Sequence, residues 1–266
     1  MLSTRVIKAS TPTRLTAALA AALLCAGLSS CSNQPGSPPS PAPPSPVSLA
    51  GWKLTLPVAG PHGDAATVNP ARFLPPWLTN GASGLTFWAP VNGVTTPHSE
   101  HTRTELVSLH NFRAGDDPHT LRATVSVSQV PTEGQDVTIG QIHGAAEISS
   151  VAFVMLHYDA GTIRVVVKQS QHGSNSNKYE LISGVPLNAP FDYTIADNGT
   201  GDLTFTATYG GHTGTASVRV PDEFRNANVR FQAGAYQQAD SKGPTRAAAD
   251  GARVTFHSLG IDPVAQ

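Results

Sequence analysis

From Leu49 onward, apolar and polar residues alternate with a period of two, the pattern of β-strands that bury one face. In LRATVSVSQV, for example, Leu121 and Val125 alternate with Arg122 and Ser126. The segments TIRVVVKQ, FDYTIAD, DLTFTATY, TASVRV and ARVTFHSLGI behave similarly, and turn sequences such as DNGTGD and YGGHTG separate them. The sequence therefore predicts an all-β fold, a two-sheet antiparallel sandwich or jelly roll. Short helices are expected only in PARFLPPWLTN and PDEFRNA, where prolines limit their length.

The first 30 residues have the composition of a secretion signal. Arg5, Lys8 and Arg14 precede the apolar run LTAALAAALLCAGL, and no acidic residue occurs among them. The following LSSC resembles the bacterial lipobox, which predicts that Cys31 is the first mature residue and carries lipid. An ordinary signal cleaved nearby is the alternative.

Residues 31–48 are rich in proline and serine and predict an extended, semi-rigid tether. One β domain, residues 49–266, follows the tether. We therefore expect an exported monomer that is anchored to the bacterial cell envelope by lipid at Cys31, or secreted if that lipid is absent. No other contact with a membrane is expected.

The positions of the cysteines and the net charge argue against several classes of site and partner. Both cysteines precede the β domain, so no disulfide or cysteine–metal site can form within it. Loss of the signal removes three of 17 Lys and Arg and leaves 18 Asp and Glu, so no nucleic-acid partner is expected. His98 and His101 have no third metal ligand at suitable spacing, so no metal or other cofactor is expected.

Three segments place chemically capable side chains on one face of a strand. In RTEL, Arg103 and Glu105 share a face, and in QIH, Gln141 and His143 share a face opposite Ile142. In VRFQAGAYQQ, an apolar row leaves a polar row on the other side, namely Arg230, Gln232, Gly234, Tyr236 and Gln238. If these strands share a sheet, one surface carries a guanidinium, an amide, an imidazole and a phenol.

This set suits the cleavage of a uronate polymer by β-elimination. A guanidinium and an amide can neutralise the carboxylate, so that the proton on the adjacent carbon becomes removable. Imidazole and phenol are suitable for the base and for the acid that protonates the leaving oxygen. A hydrolase is disfavoured, because no pair of facing carboxylates is evident on a strand.

Taken together, RTEL, QIH and FQAGAYQQ resemble the signature segments of the alginate lyases of polysaccharide lyase family 7, and GWKLTLPV resembles that family's first strand. The resemblance covers most of residues 50–266 in the expected order. It implies a jelly roll with an open cleft on the concave sheet. It also implies a lyase that cleaves alginate, the mannuronate and guluronate polymer.

The resemblance also implies roles for individual residues. Arg103 matches the arginine that binds the substrate carboxylate, and Gln141 matches the amide that helps to neutralise it. His143 matches the base, at least toward guluronate. Tyr236 matches the acid and is, toward mannuronate, a further candidate for the base. Ile142 accompanies activity on guluronate-containing chains within the family. We therefore expect an endo-acting enzyme with some preference for such chains.

The third segment departs from the family pattern at Arg230, Gln232 and Gln237, where tyrosine, lysine and asparagine are common. Loss of the lysine removes a cation, which Arg230 could restore. Lys168 in TIRVVVKQ either lines the same surface or is solvated. The expected substrate-binding residues are Arg103, Glu105, Gln141, Arg230, Gln232, Gln238 and Lys168.

Two other functions stay open at this point. One is a lyase of the same fold that acts on another polyuronate such as glucuronan. The other is a non-catalytic glycan-binding module, because jelly rolls often serve as lectins.

Overall fold

The computed structural model describes residues 47–242 and 246–263. The predicted signal (1–30), Cys31 and nearly all of the predicted tether (31–48) lie outside the described residues. The predicted β domain (49–266) lies within them, apart from residues 243–245 and 264–266.

Strands make up most of the described chain, and they follow one another through short turns. The first eight are β1 (Trp52–Ala59), β2 (Ala65–Val68), β3 (Leu78–Gly81), β4 (Gly84–Pro90), β5 (Arg103–Ser108), β6 (Phe112–Arg113), β7 (His119–Gln129) and β8 (Asp136–Gly144). The others are β9 (Ala152–Asp159), β10 (Thr162–Lys168), β11 (Ser176–Ile182), β12 (Phe191–Asp197), β13 (Asp202–Tyr209), β14 (His212–Arg219), β15 (Asn228–Gln237) and β16 (Gly251–Asp262).

These strands form two antiparallel sheets. The nine-stranded sheet has the order β11-β10-β9-β8-β15-β5-β1-β2, with β6 paired to β15 at one end. The seven-stranded sheet has the order β14-β13-β12-β7-β16-β4-β3. Strands distant in sequence therefore lie side by side, as in a jelly roll, and the fold class predicted from the sequence is confirmed.

The core lies between the sheets and is formed by the apolar members of the alternating pattern. Leu106, Ile142 and Phe231 of the nine-stranded sheet are fully or almost fully buried there. Phe87 and Phe256 of the other sheet meet edge to face, with ring centroids 5.2 Å apart. Since these side chains face inward, their polar neighbours face the opposite surface of each sheet.

The helix predictions were half right. PDEFRNA contains a single turn of 3-10 helix, Asp222–Phe224, and a second such turn occurs at Ala146–Ile148. The prediction for PARFLPPWLTN was wrong, because its last three residues, LTN, begin β3, and Trp77 O accepts a hydrogen bond from Trp88 N of β4. No helix within residues 47–242 and 246–263 is long and apolar enough to cross a bilayer.

A bulge in β15 lies directly before Tyr236 and sets the register of that residue against β8. Ala233 pairs with Gly140 of β8 and Tyr236 with Thr138, so β15 carries one residue more than β8 over this stretch. Gly234 lies in the bulge with φ of 157°, and a Cβ there would lie 2.5 Å from the backbone oxygen of Thr104. Only glycine fits this position without displacing β5.

We predict that Gly234→Ala lowers the free energy of unfolding by about 2 kcal/mol, because the added methyl group meets backbone atoms that cannot move independently. Gly260→Ala is the matched control, since Gly260 lies in β16 with nothing within 4 Å of a Cβ. Urea denaturation of both variants measures the difference. Equal midpoints for the two variants would contradict this interpretation of the bulge.

Candidate active site

The three segments singled out from the sequence lie on adjacent strands of the nine-stranded sheet. Across β5 and β15, Arg103 pairs with Tyr236. Across β15 and β8, Gln232 pairs with Gln141 and Arg230 with His143. Because side chains on one face of paired strands are neighbours, this register brings the guanidinium, imidazole and phenol together.

These side chains surround an open cleft of about 430 Å³ on the face of the sheet that points away from the core. Its lining includes residues of β1, β5, β8 and β15, together with the loop before β5, namely Lys53, Thr55, His98, Ser99, Arg103, His143, Arg230, Gln232 and Tyr236.

Arg103 and Tyr236 form one end of this group. The guanidinium carbon of Arg103 lies 3.6 Å from the centre of the Tyr236 ring, a close cation–π contact. Ser99 joins both, because its hydroxyl lies 3.1 Å from the Tyr236 hydroxyl and accepts a hydrogen bond of 3.3 Å from Arg103 Nη2. The phenol and guanidinium therefore have a fixed separation at the cleft surface.

Glu105 lies beneath the cleft rather than in its lining. Its side chain is fully buried and accepts hydrogen bonds from Arg103 Nη1 (3.4 Å) and Gln141 Nε2 (2.5 Å). Burial raises the pKa of Glu105, and the positive charge of Arg103 and these hydrogen bonds oppose that rise. Both neighbours are donors, so the ionised carboxylate is the form that this geometry satisfies. Glu105 thus holds Arg103 and Gln141 in place.

Gln141 is also fully buried and is absent from the cleft lining. Its Nε2 donates to Glu105 and, at 3.3 Å, to Gln232 Oε1. Its Oε1 is buried and has no hydrogen-bond partner among residues 47–242 and 246–263, which typically costs about 1–3 kcal/mol. The structure therefore brings Gln141 next to the cleft residues but below them.

His143 faces the cleft with one ring nitrogen fixed. Nδ1 lies 3.0 Å from the carbonyl oxygen of Gly144, and since a carbonyl only accepts, Nδ1 carries the proton and Nε2 has the lone pair. The pKa of His143 is lowered from 6.5 to about 4, chiefly by burial and also by the charges of Arg103 and Arg230, while the Gly144 hydrogen bond opposes the change. The imidazole is therefore neutral at pH 7 and able to accept a proton.

Two further cations face the cleft. Burial lowers the pKa of Arg230 and that of Lys53, and the charge of Arg230 adds to the effect on Lys53. Within residues 47–242 and 246–263, neither side chain has an acidic partner within ion-pair distance. A net negative protein thus carries a local positive cleft, which suits an anionic ligand.

Lys53 and Thr55 were missed as site residues in the sequence analysis. Both lie on β1, where Lys53 pairs with Val107 and Thr55 with Glu105 of β5. The alternation in WKLTLP was the available signal, since Lys53 and Thr55 alternate with the buried Leu54 and Leu56.

The model of the family described as alginate lyase matches residues 47–263. The chain belongs to the alginate lyase family. It is therefore a polysaccharide lyase, and the resemblance inferred from its motifs is confirmed.

Solved alginate lyases have the same fold. Alginate lyase PA1167 from Pseudomonas aeruginosa is 28% identical over 81% of this chain and 99% of its own, with a TM-score of 0.71. Alginate lyase A1-II′, a member of polysaccharide lyase family 7, is 24% identical over 81% of this chain and 96% of its own, with a TM-score of 0.69. The alginate lyase from Klebsiella pneumoniae is 22% identical over 83% of this chain and 98% of its own, with a TM-score of 0.68. No curated protein sequence matches the chain.

Besides Glu105 and Gln141, which lie beneath the cleft, two further predicted substrate-binding residues of this lyase are absent from its lining. Lys168 lines a neighbouring depression of about 440 Å³, where its Nζ donates to Gly173 O at 2.7 Å. Gln238 follows the last residue of β15, and its side-chain amide donates to the carbonyl of Tyr236 at 3.0 Å. The structure does not bring either side chain to the group around Arg103.

The two histidines considered as a metal pair have different surroundings. His98 lines both the cleft and the neighbouring depression, whereas His101 Nδ1 lies 2.9 Å from the carbonyl of Ala239. Among residues 47–242 and 246–263, no three histidine, cysteine or acidic side chains cluster closely enough to hold a metal ion.

We predict that His143 titrates near pH 4, and that Arg230→Gln raises this midpoint because it removes a nearby positive charge. Between pH 6.5 and 4, the unfolded chain binds a proton here that the folded chain does not. Stability from this group is therefore lost as the pH falls through that window. Imidazole NMR titration, with assignment by His143→Gln, measures the midpoint.

Arg219→Gln serves as the control, since Arg219 is exposed on β14 of the other sheet and should leave the His143 midpoint unchanged. A His143 midpoint near 6.5 in the folded protein would refute the electrostatic description of this site.

Proposed function

We propose that this lyase cleaves alginate by β-elimination within the chain, with Arg103, His143 and Tyr236 as the groups that contact the reacting sugar. The observation that carries the proposal is the meeting of a guanidinium, a neutral imidazole and a phenol in one cleft of an alginate lyase.

Each of these three side chains acts in a defined step of the elimination. Arg103 binds the uronate carboxylate and stabilises the negative charge that develops when the adjacent carbon loses its proton. His143 Nε2 takes that proton, and the electron pair of the broken C–H bond forms the double bond to the neighbouring carbon. The bond to the leaving glycosidic oxygen breaks, and the Tyr236 hydroxyl donates a proton to that oxygen. Glu105 takes no proton in this scheme and fixes Arg103 from below.

The shape of the cleft supports endo action. His98, Ser150 and Ala152 line both the cleft and the neighbouring depression that contains Lys168, so the two are continuous. A polymer can therefore extend across several strands past the reacting unit. Arg230 and Lys53 offer cations to the carboxylates of such a chain, and Lys168 offers one further along.

The preference for guluronate-containing chains rests on Ile142 of the QIH segment. Ile142 is fully buried in the core and makes no contact with the cleft. We infer that any influence on sugar preference acts through the placement of its neighbours Gln141 and His143.

The direct test is ultraviolet absorbance of the unsaturated product during incubation with polyguluronate, polymannuronate, mixed alginate and glucuronan. We expect product from alginates, fastest from guluronate-containing chains. Tyr236→Phe should lower kcat at least about 10²-fold, because it removes the proton donor. Tyr209→Phe, at the end of β13 in the other sheet, is the matched control and should keep full activity. Cleavage of glucuronan alone would replace alginate as the substrate, and an active Tyr236→Phe would remove the proposed acid.

We also propose that the enzyme is exported and held at the cell envelope by lipid on Cys31, as an otherwise monomeric protein. The support is the LSSC segment after an apolar signal and the proline-rich stretch that follows. Metabolic labelling with a fatty acid in a bacterial host should mark the wild type and not Cys31→Ser. Equal labelling of both proteins would argue against lipid at this residue.

A further inference from the structure

Ser99 lies in the loop before β5, and its hydroxyl group is held from several directions. Its oxygen accepts a hydrogen bond from the backbone N–H of His101 at 3.1 Å and another from Arg103 Nη2 at 3.3 Å. The carbonyl oxygen of His101 lies 3.0 Å away, and the hydroxyl oxygen of Tyr236 lies 3.1 Å away. Ser99 thus joins the backbone of its own loop to the guanidinium and the phenol of the cleft.

The capacity of this hydroxyl group decides which way its hydrogen bond to Tyr236 runs. A serine hydroxyl has one hydrogen to donate and two lone pairs that accept. The N–H of His101 and Arg103 Nη2 occupy both lone pairs. Ser99 is therefore the donor toward Tyr236, and its hydrogen is shared between the phenol oxygen and the carbonyl oxygen of His101.

This direction leaves the hydrogen of the Tyr236 hydroxyl group for the substrate. Among residues 47–242 and 246–263, Ser99 is the only hydrogen-bond partner of that hydroxyl group. Because Ser99 donates, the hydrogen of Tyr236 points away from Ser99. Tyr236 lines the cleft, so its hydrogen is free for the leaving oxygen of a bound polymer.

The loop that contains Ser99 is fixed against the segment that follows β15. Glu100 O accepts a hydrogen bond from Ser241 N at 2.9 Å. The ring of His101 reaches the same segment, because its Nδ1 lies 2.9 Å from Ala239 O. Since β15 presents the phenol, the oxygen of Ser99 is held at its distance from the phenol before any substrate binds.

We propose that Ser99 is a positioning residue for the acid of the elimination: it directs the hydrogen of Tyr236 toward the leaving oxygen and then stabilises the phenolate. The inference rests on the proposed function, in which Tyr236 is that acid. Tyr236 gives its proton to the glycosidic oxygen as the C–O bond breaks, and negative charge develops on the phenol oxygen. Ser99 keeps its own proton throughout. The proton that solvent returns to Tyr236 after the product leaves balances the one that His143 releases to solvent.

The hydrogen bond from Ser99 is stronger in the transition state than in the resting enzyme. While the phenol is neutral, it shares the hydrogen of Ser99 with the carbonyl oxygen of His101. Once the phenol carries negative charge, the bond is charge-assisted and the phenolate becomes the preferred acceptor. An interaction that strengthens only in the transition state raises kcat and leaves substrate binding nearly unchanged.

The experiment compares Ser99→Ala and Ser99→Thr on alginate, each checked for its thermal midpoint. Ser99→Ala should lower kcat about 10- to 100-fold and leave KM within about threefold of wild type, because it removes a donor that acts mainly in the transition state. Ser99→Thr keeps the hydroxyl group and should keep kcat within about threefold of wild type.

Ser108→Ala is the matched control. Ser108 makes the same local pair of hydrogen bonds, because its Oγ donates to His110 O at 3.2 Å and accepts from His110 N at 3.1 Å. It lies at the opposite end of β5 from Arg103 and lines a different pocket. Ser108→Ala therefore measures what the loss of such a turn costs in stability, and it should keep full activity.

The double variant Ser99→Ala/Tyr236→Phe shows whether Ser99 acts through the phenol. It should be no slower than Tyr236→Phe alone, because no phenol oxygen remains to accept a hydrogen bond. Multiplied losses would assign the effect to Arg103, the other cleft side chain that Ser99 contacts, and overturn the inference. A loss confined to KM, an unchanged kcat in Ser99→Ala, or a Ser99→Thr variant as slow as Ser99→Ala would also overturn it.

Two further outcomes have a defined meaning. Where Ser99→Ala fails to fold, Ser99→Cys decides in the same way, because a thiol of similar size is only a weak donor. Failure of the wild type to act on any alginate, or full activity of Tyr236→Phe, would instead overturn the proposed function on which the inference rests.

Discussion

The site depends on one buried carboxylate. Glu105 is fully enclosed beneath the cleft, yet it accepts hydrogen bonds from both Arg103 and Gln141. Removing one partner of such a buried pair leaves an uncompensated charge, which typically costs about 3–5 kcal/mol. The arrangement therefore fixes the guanidinium at one end of the site. It also holds the amide of Gln141 beneath the cleft.

The cations of the cleft serve both binding and proton transfer. Arg230 of β15 and Arg103 of β5 both lie on the same side of His143 in the sheet, and together with burial they lower the pKa of its imidazole. The same charges attract a polyanion to a protein that is otherwise net negative once the predicted signal is removed. The charges of Arg103 and Arg230 thus contribute both to the attraction of substrate and to the neutrality of the base, although burial is the larger cause of the lowered His143 pKa. A bound carboxylate would offset part of that positive charge, which favours the protonated imidazole that forms as the reaction proceeds.

The sequence was sufficient to predict which face each motif residue occupies, because alternation in a strand follows directly from backbone geometry. Arg103, His143 and Tyr236 accordingly point into one cleft. Alternation does not indicate how deeply a side chain lies, however, so it could not show that Gln141 is fully buried and absent from the cleft lining. That placement arises from hydrogen bonds between β5, β8 and β15, which are distant in the chain.

The other site and helix predictions that differ from the structure also have local structural causes. Gln238 shares parity with Tyr236, but β15 ends at Gln237 and the chain leaves the cleft there. Lys53 was overlooked because its neighbours on β5 and β15 become evident only from the pairing of β1 with β5. The helix expected in PARFLPPWLTN is absent because part of the segment pairs with β4, an example of tertiary structure overriding local propensity.

The most direct test of this account is a crystal structure of an inactive variant such as Tyr236→Phe with a bound alginate oligosaccharide. The account predicts one uronate carboxylate within hydrogen-bond distance of Arg103. The hydrogen on the adjacent carbon should face His143 Nε2. A carboxylate held away from Arg103, or an imidazole on the far side of the sugar from that hydrogen, would contradict it.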